Sequence, residues 1–224
     1  ILLMVRLRQA ALALEITGIS KMIDRQEIAG VILAGGKGSR MGYQDKALLK
    51  FRHKPLIEHV IATASEQVDS LVLSVNRNQQ LYEYLDLPIV ADLENQYSGP
   101  LVGIHRAMAY LREESPNHKY LACFPADAPI FPQDLVIQLA EALEKDGTLF
   151  SCCRHQKQIQ PLFSLWSLDA ESSVKLALDS GIYGPKLLLP VINSSVVEIS
   201  DQSSGSFFNI NTVESLEEAE KFTK

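Results

Sequence analysis

The sequence predicts an α/β fold, a single domain on a mostly parallel sheet with some antiparallel strands. Three observations predict it. Short, nearly unbroken apolar runs alternate with longer helical stretches, the pattern of strands joined by crossover helices. The first apolar run stops abruptly in the glycine-rich turn Gly35-Gly36-Lys37-Gly38. Asn76, Asp92 and Asp127 each fall just after a predicted strand, where open α/β sheets bind their ligands. The arrangement implied is Rossmann-like, with three layers, α/β/α.

The elements follow in order. Gly30 to Leu33 is the first strand, and Pro55 to Gln67 is a helix with proline tolerated in its first turn. Leu71 to Val75 is almost unbroken in its apolar residues, as expected for a strand buried on both faces. Ile89 to Ala91 is a short strand, and Leu101 to Leu111 is a helix entered through Ser98-Gly99-Pro100. Tyr120 to Phe124 is the next strand and Asp134 to Glu144 the next helix. Leu149 to Cys153 and Gln160 to Trp166 are strands suited to antiparallel pairing. Asp169 to Leu178 is a helix, Val196 to Ile199 a late strand, and Val213 to Phe222 a closing acidic helix.

A chain of 224 residues is long enough for one large domain with a sizeable core. A net charge of −6 argues against an extended nucleic-acid surface, so any basic site is local. Cys123, Cys152 and Cys153 lack zinc-ligand spacing and read as reduced core residues of a cytoplasmic protein. The five histidines form no metal pattern and no nucleophilic triad. No apolar run reaches the length of a membrane span. Residues 1–21 are apolar but interrupted by Arg6 and Arg8, with no clean cleavage site and a period that suits an amphipathic helix. They are expected to be an extension, tag-derived or from an upstream start, with the domain proper spanning 22–224.

The glycine turn carries the chemistry. Glycines let a backbone approach a ligand closely, and successive free N–H groups beside a helix start attract phosphate oxygens. Two known phosphate loops fail here. Gly36-Lys37 is followed by Gly38 rather than the hydroxyl residue that a Walker A loop needs. Gly36, Gly38 and Gly42 are spaced one residue too long for the dinucleotide fingerprint.

The wider pattern is more specific. Leu33-Ala34-Gly35-Gly36, Arg40-Met41-Gly42, Asp45-Lys46-Ala47, Leu49 and Lys54-Pro55-Leu56-Ile57-Glu58 resemble the sugar-phosphate-type nucleotidyltransferases. Within them the chain is most similar to the molybdenum cofactor guanylyltransferase family, often called MobA. Asp45-Lys46 points to that branch, and the resemblance runs from about Ile28 to the C-terminus.

The resemblance implies a nucleotide site of Leu33, Ala34, Gly35, Gly36, Gly38, Lys46, Asn76, Asp92, Gly99 and Asp127. It implies that Asp127, in Pro125-Ala126-Asp127-Ala128-Pro129, binds Mg²⁺, and that Lys46 meets the nucleotide phosphates with help from Arg40. The chemistry agrees, because a carboxylate aimed by flanking prolines is a hard oxygen ligand and a lysine is a flexible point charge. A strand-ending Asp or Asn is also an ordinary turn residue. Asn209 and Asn211, alternate positions of one extended segment, together with Gln160 and Pro161, are implied on the acceptor side. Three departures stand out: Ala128 replaces a threonine, Ser74 replaces an asparagine, and residues 180–186 carry Lys186 where the family has arginines.

The expected activity is transfer of GMP from GTP to the terminal phosphate of molybdopterin, with release of pyrophosphate. Mg²⁺ is the expected cofactor. GTP and molybdopterin are the expected partners, with no nucleic acid or membrane, and with transient contact to molybdoenzyme maturation proteins. The competing expectations are a relative using CTP or another nucleotide with molybdopterin or a sugar or polyol phosphate, and a nucleotide-binding protein without turnover.

Overall fold

Why the first strand is apolar on both sides is plain from what covers it. In the computed structural model, which describes residues 23–35, 45–91, 99–200 and 205–222, Ile28–Leu33 (β1) lies between two parallel neighbours. Ser70–Ser74 (β4) pairs with one side and Tyr120–Pro125 (β6) with the other. Successive side chains of a strand point to opposite faces. Ile28 and Ile32 therefore enter one core while Ala29 and Val31 enter another.

The two cores define the three layers. The first is closed by Leu56–Ser65 (α1), through Ile57, Val60 and Ala64, and by Leu135–Asp146 (α3), through Leu135, Leu139 and Leu143. The second is closed by Pro100–Glu114 (α2), through Leu101, Ile104, Ala107, Met108 and Leu111, and by Glu171–Asp179 (α4), through Val174 and Ala177. Leucines and isoleucines at helical spacing form the stripe that each helix buries.

The main sheet has seven strands in the order β5-β4-β1-β6-β8-β7-β9, where β5 is Ile89–Val90, β7 Phe150–His155, β8 Gln158–Ser167 and β9 Ser194–Glu198. All its pairings are parallel except β6 with β8 and β7 with β8. The antiparallel pair expected from the sequence is thus present, joined through Gln156 and Lys157, both at positive φ. The expected elements form with ends displaced by a few residues, as terminal turns commonly are. The small hairpin of Lys50–Phe51 (β2) and Lys54–Pro55 (β3) was not expected. It turns on Arg52 and His53 at φ 48° and 69°, neither of them the asparagine or glycine that signals such a turn. Among the described residues no helix is long and apolar enough to cross a membrane. The predicted extension, residues 1–21, lies outside the described residues.

Candidate nucleotide-transfer site

The parallel strands deliver their carboxyl ends to one edge of the sheet. Beyond β1 the pairing continues on both sides, for Ala34 N–H donates to the Ser74 carbonyl at 2.9 Å and Ala126 N–H donates to the Leu33 carbonyl at 3.1 Å. The amide of Ala34 and the carbonyl of Leu33 are therefore committed to the sheet. Gly35 follows, and the Asn76 side chain lies close over it: a Cβ on Gly35 would stand 3.2 Å from the Asn76 amide nitrogen. That close approach accounts for glycine here. Gly36, Gly38 and Arg40, and likewise Asp92, lie outside the described residues.

Lys46 opens a 3₁₀ turn, Lys46–Leu48, whose Ala47 is buried. Its ammonium donates to Asp127 Oδ2 and to Asn211 Oδ1. The Lys46 and Asp127 side chains are 18% and 28% exposed, enough for a ligand to reach them. Asp45, just before, accepts a 2.8 Å bond from Asn78 Nδ2, tying the lysine turn to the loop that carries Asn76. Tyr82 is buried nearby, its hydroxyl without a hydrogen-bond partner among the described residues. Burial, then the Asp45 charge, holds its pKa well above the ordinary phenol range.

Asp127 follows β6 in a turn whose neighbours Ala126 and Ala128 are buried. The backbone anchors on either side leave the carboxylate facing out. Its carbonyl accepts the Ile210 amide at 2.8 Å, which brings the C-terminal segment to the site. That segment is set by Phe207 at φ 62°, an unusual conformation for a bulky residue. Phe207 N–H bonds the Ile130 carbonyl at 2.9 Å, and its ring packs 5.0 Å from Phe163 and 5.2 Å from His155. Thr212 then caps the last helix, Val213–Lys221 (α5), in a reciprocal box with Ser215. The Ser215 hydroxyl also accepts the Asn211 amide at 2.8 Å. Asn211 thus turns its side chain to Lys46; Asn209 is exposed as well, with no bond to the lysine. The role of Ser215 was not legible beforehand; a capping box with serine in place of the usual Glu or Gln at its third position is the only trace.

Gln160 and Pro161 reach the same edge by a different device. Cys152 pairs with Ser164 but Cys153 with Gln160, so residues 161–163 bulge out of β8. The ladder to β6 stops at Cys123–Ser164, leaving the bulge beside the carboxyl end of β6. Gly99, at φ 98°, is the N-cap of α2. A Cβ there would come within 2.7 Å of the Tyr183 carbonyl. Ser74 is buried against α2, its hydroxyl 2.5 Å from where a Gly103 Cβ would stand. Arg154 pairs with Glu198 at 3.9 Å. The cysteine thiols are all buried, and burial pushes those of Cys123 and Cys152 up to about 12.

Magnesium needs only one or two protein carboxylates when phosphates supply the remaining oxygens. Asp127 meets that requirement. Among the described residues no three His, Cys, Asp or Glu side chains converge into an all-protein cage. A lysine and an amide gathered at a sheet edge can bind and orient phosphates, and a carboxylate beside them is suited to a cation that would neutralise them.

Comparison with known proteins agrees in sequence and in shape. The profile of the MobA-like NTP transferase domain matches residues 30–193. A molybdenum cofactor guanylyltransferase of Ralstonia pickettii (strain 12J) is 33% identical over 204 residues, covering 87% of this chain and 97% of that protein. One from Yersinia pestis (strain Pestoides F) is 35% identical over 185 residues, covering 83% and 91%. Among solved structures, molybdopterin-guanine dinucleotide biosynthesis protein A of Archaeoglobus fulgidus superposes with a TM-score of 0.70 at 25% identity, over 86% of this chain and 97% of that one. The 4-diphosphocytidyl-2C-methyl-D-erythritol synthase of Anaerococcus prevotii gives 0.68 at 15%, covering 90% and 97%, a likeness of fold alone. With the profile spanning most of the chain and relatives above 30% identity matched over nearly their whole length, the chain belongs to the MobA-like NTP transferase family.

Proposed function

We propose that this chain is a molybdenum cofactor guanylyltransferase. A terminal phosphate oxygen of molybdopterin attacks the α-phosphorus of GTP, the α–β phosphoanhydride bond breaks, and pyrophosphate leaves with the bonding electrons. The product is molybdopterin guanine dinucleotide. The names carried by the relatives support the reading, and the observation that carries it is the meeting of Lys46, Asp127 and Asn211 at the carboxyl edge of the sheet. Because the acceptor is already an anion, no strong general base is required, and catalysis rests on positioning and charge neutralisation.

Asp127 would hold Mg²⁺, which when bound supplies positive charge against the phosphates. Lys46 exchanges its protein acceptors for phosphate oxygens, and Arg40 is assigned to help neutralise them. The backbone of Gly35, Gly36 and Gly38 cradles the same group. Asn76, Asp92 and Gly99 line the nucleoside side, and an Asp92 carboxylate would accept two N–H bonds from a guanine edge. Asn209, Asn211, Gln160 and Pro161 face the acceptor. The domain is taken as 22–224, with 1–21 an extension, the setting as the cytoplasm, and molybdoenzyme maturation proteins as transient partners.

The test is thermal stabilisation by GTP, CTP, ATP and UTP, each with Mg²⁺, on wild type and Asp127→Ala. A ligand that binds only the folded state raises its stability. Selective stabilisation by GTP, weakened in the variant, is expected, followed by pyrophosphate release when molybdopterin is added. Selectivity for CTP would replace the guanylyl assignment with a cytidylyl one. Binding without pyrophosphate release would leave a nucleotide-binding protein.

A further inference from the structure

The nucleotide edge of the sheet carries an aromatic side chain that none of the phosphate chemistry uses. Tyr183 sits in the segment after α4, and its carbonyl accepts the Leu101 amide in the first turn of α2 at 3.1 Å. Its Cβ lies 3.0 Å from where a Gly99 Cβ would be. Gly99 has φ 98° and no side chain, and both properties are needed for Tyr183 to come so close. Tyr183 is thus pinned at its backbone to the start of α2, at the Gly99 that the proposed nucleotide site includes. Its neighbours are held as well: Ile182 N–H bonds the Ala177 carbonyl at 2.9 Å, and Gly184 leads straight into the 3₁₀ turn Pro185–Leu188.

The side chain is treated differently from the backbone. Tyr183 is 43% exposed. Among the described residues its ring stacks on no other ring. A fixed backbone under a free, exposed ring is the layout of a stacking platform. The charge of the surrounding segment points the same way, since Lys186 is the only cation among residues 180–189. Recognition there falls to shape and π-surface rather than to ion pairing.

We propose that the Tyr183 ring is a stacking platform for a planar 2-amino-4-oxo-pyrimidine heterocycle. This rests on the guanylyl-transfer reading, in which both substrates carry that ring: guanine in GTP and the pterin in the acceptor. Aromatic stacking is strong enough to matter, at about tenfold or more in affinity when the ring is removed.

The test compares wild type, Tyr183→Phe and Tyr183→Ala in two assays. The first is KM and kcat for GTP and for molybdopterin by pyrophosphate release. The second is equilibrium binding of GMP and of 6-hydroxymethylpterin, which needs no turnover. The alanine variant is expected to lose about tenfold in one KM and in binding of the matching probe, with kcat little changed. The phenylalanine variant is expected to stay within about twofold of wild type. A shift with GTP and GMP identifies guanine as the stacked ring, and a shift with molybdopterin and the pterin identifies the acceptor. Wild type that releases no pyrophosphate removes the guanylyl-transfer reading, while a probe bound by wild type and lost by Tyr183→Ala still upholds the platform. Wild type that binds neither probe, or an alanine variant that matches wild type in both assays, overturns it.

Discussion

Lys46 has two protein acceptors, and each is held by a different part of the chain: Asp127 by the end of β6, Asn211 by the cap of α5. With Lys46 removed, Asp127, 28% exposed, remains in contact with water, so the loss falls on chemistry more than on folding. Lys46→Ala is expected to lower turnover about a hundredfold, the scale of losing one charge-stabilising group, while the midpoint of urea unfolding moves little. Equal turnover in that variant would take Lys46 out of the mechanism. Ser215 acts at one remove. Its hydroxyl accepts the amides of Asn211 and Thr212, both at 2.8 Å. Ser215→Ala should cost about 1 kcal/mol of stability, as loss of a cap does, and also reduce kcat severalfold through Asn211. Ser215→Thr, which keeps the hydroxyl, should recover kcat. A kcat that stays at the wild-type value in Ser215→Ala would confine the hydroxyl to the helix cap. Lys46 and Asp127 were legible in the sequence because a motif carries them. Ser215 and Tyr183 were not, because their positions depend on contacts between segments far apart in the chain.

At the scale of elements, α2 ties three segments of the chain together. It starts at Gly99, packs Gly103 on Ser74, and in its first turn donates the Leu101 amide to the Tyr183 carbonyl. Gly99→Ala places a Cβ 2.7 Å from a backbone carbonyl at φ 98°, so no flexible side chain can yield. A loss of about 1–3 kcal/mol in urea unfolding is expected, with weaker GTP stabilisation; unchanged stability would mean the 181–184 segment shifts freely. Strands were legible as apolar runs because their two faces are both covered. The β2–β3 hairpin was not, since positive φ at Arg52 and His53 is imposed by the surrounding structure rather than announced by turn residues. The bulge at 161–163 was equally silent: it follows from the register of β8 against two neighbours at once.

Across the whole molecule, the parallel strands explain why residues distant in sequence meet. Six of the seven strands of the main sheet run the same way, β8 alone opposing them, and their carboxyl ends share an edge. That topology was legible from the alternation of strands and helices, and with it the edge on which Asn76 and Asp127 would lie. The interior it encloses also governs thiol chemistry. All three cysteines are buried, and raised thiol pKa values leave almost no thiolate at neutral pH. Ellman's reagent should therefore find no thiol in the native protein and three in denaturant; rapid labelling of the folded protein would show that the core opens locally.

Asn211 belongs to a segment made after every strand of the sheet. During synthesis the seven-stranded scaffold is therefore complete in sequence before the Lys46 ammonium can find its second acceptor. A chain ending near residue 200 would lack the Asn211 clasp and, with it, Phe207, Ile210 and Ala219, all buried in the core. The tail therefore completes the packing around Phe51 and Leu56 and the Lys46 clasp together.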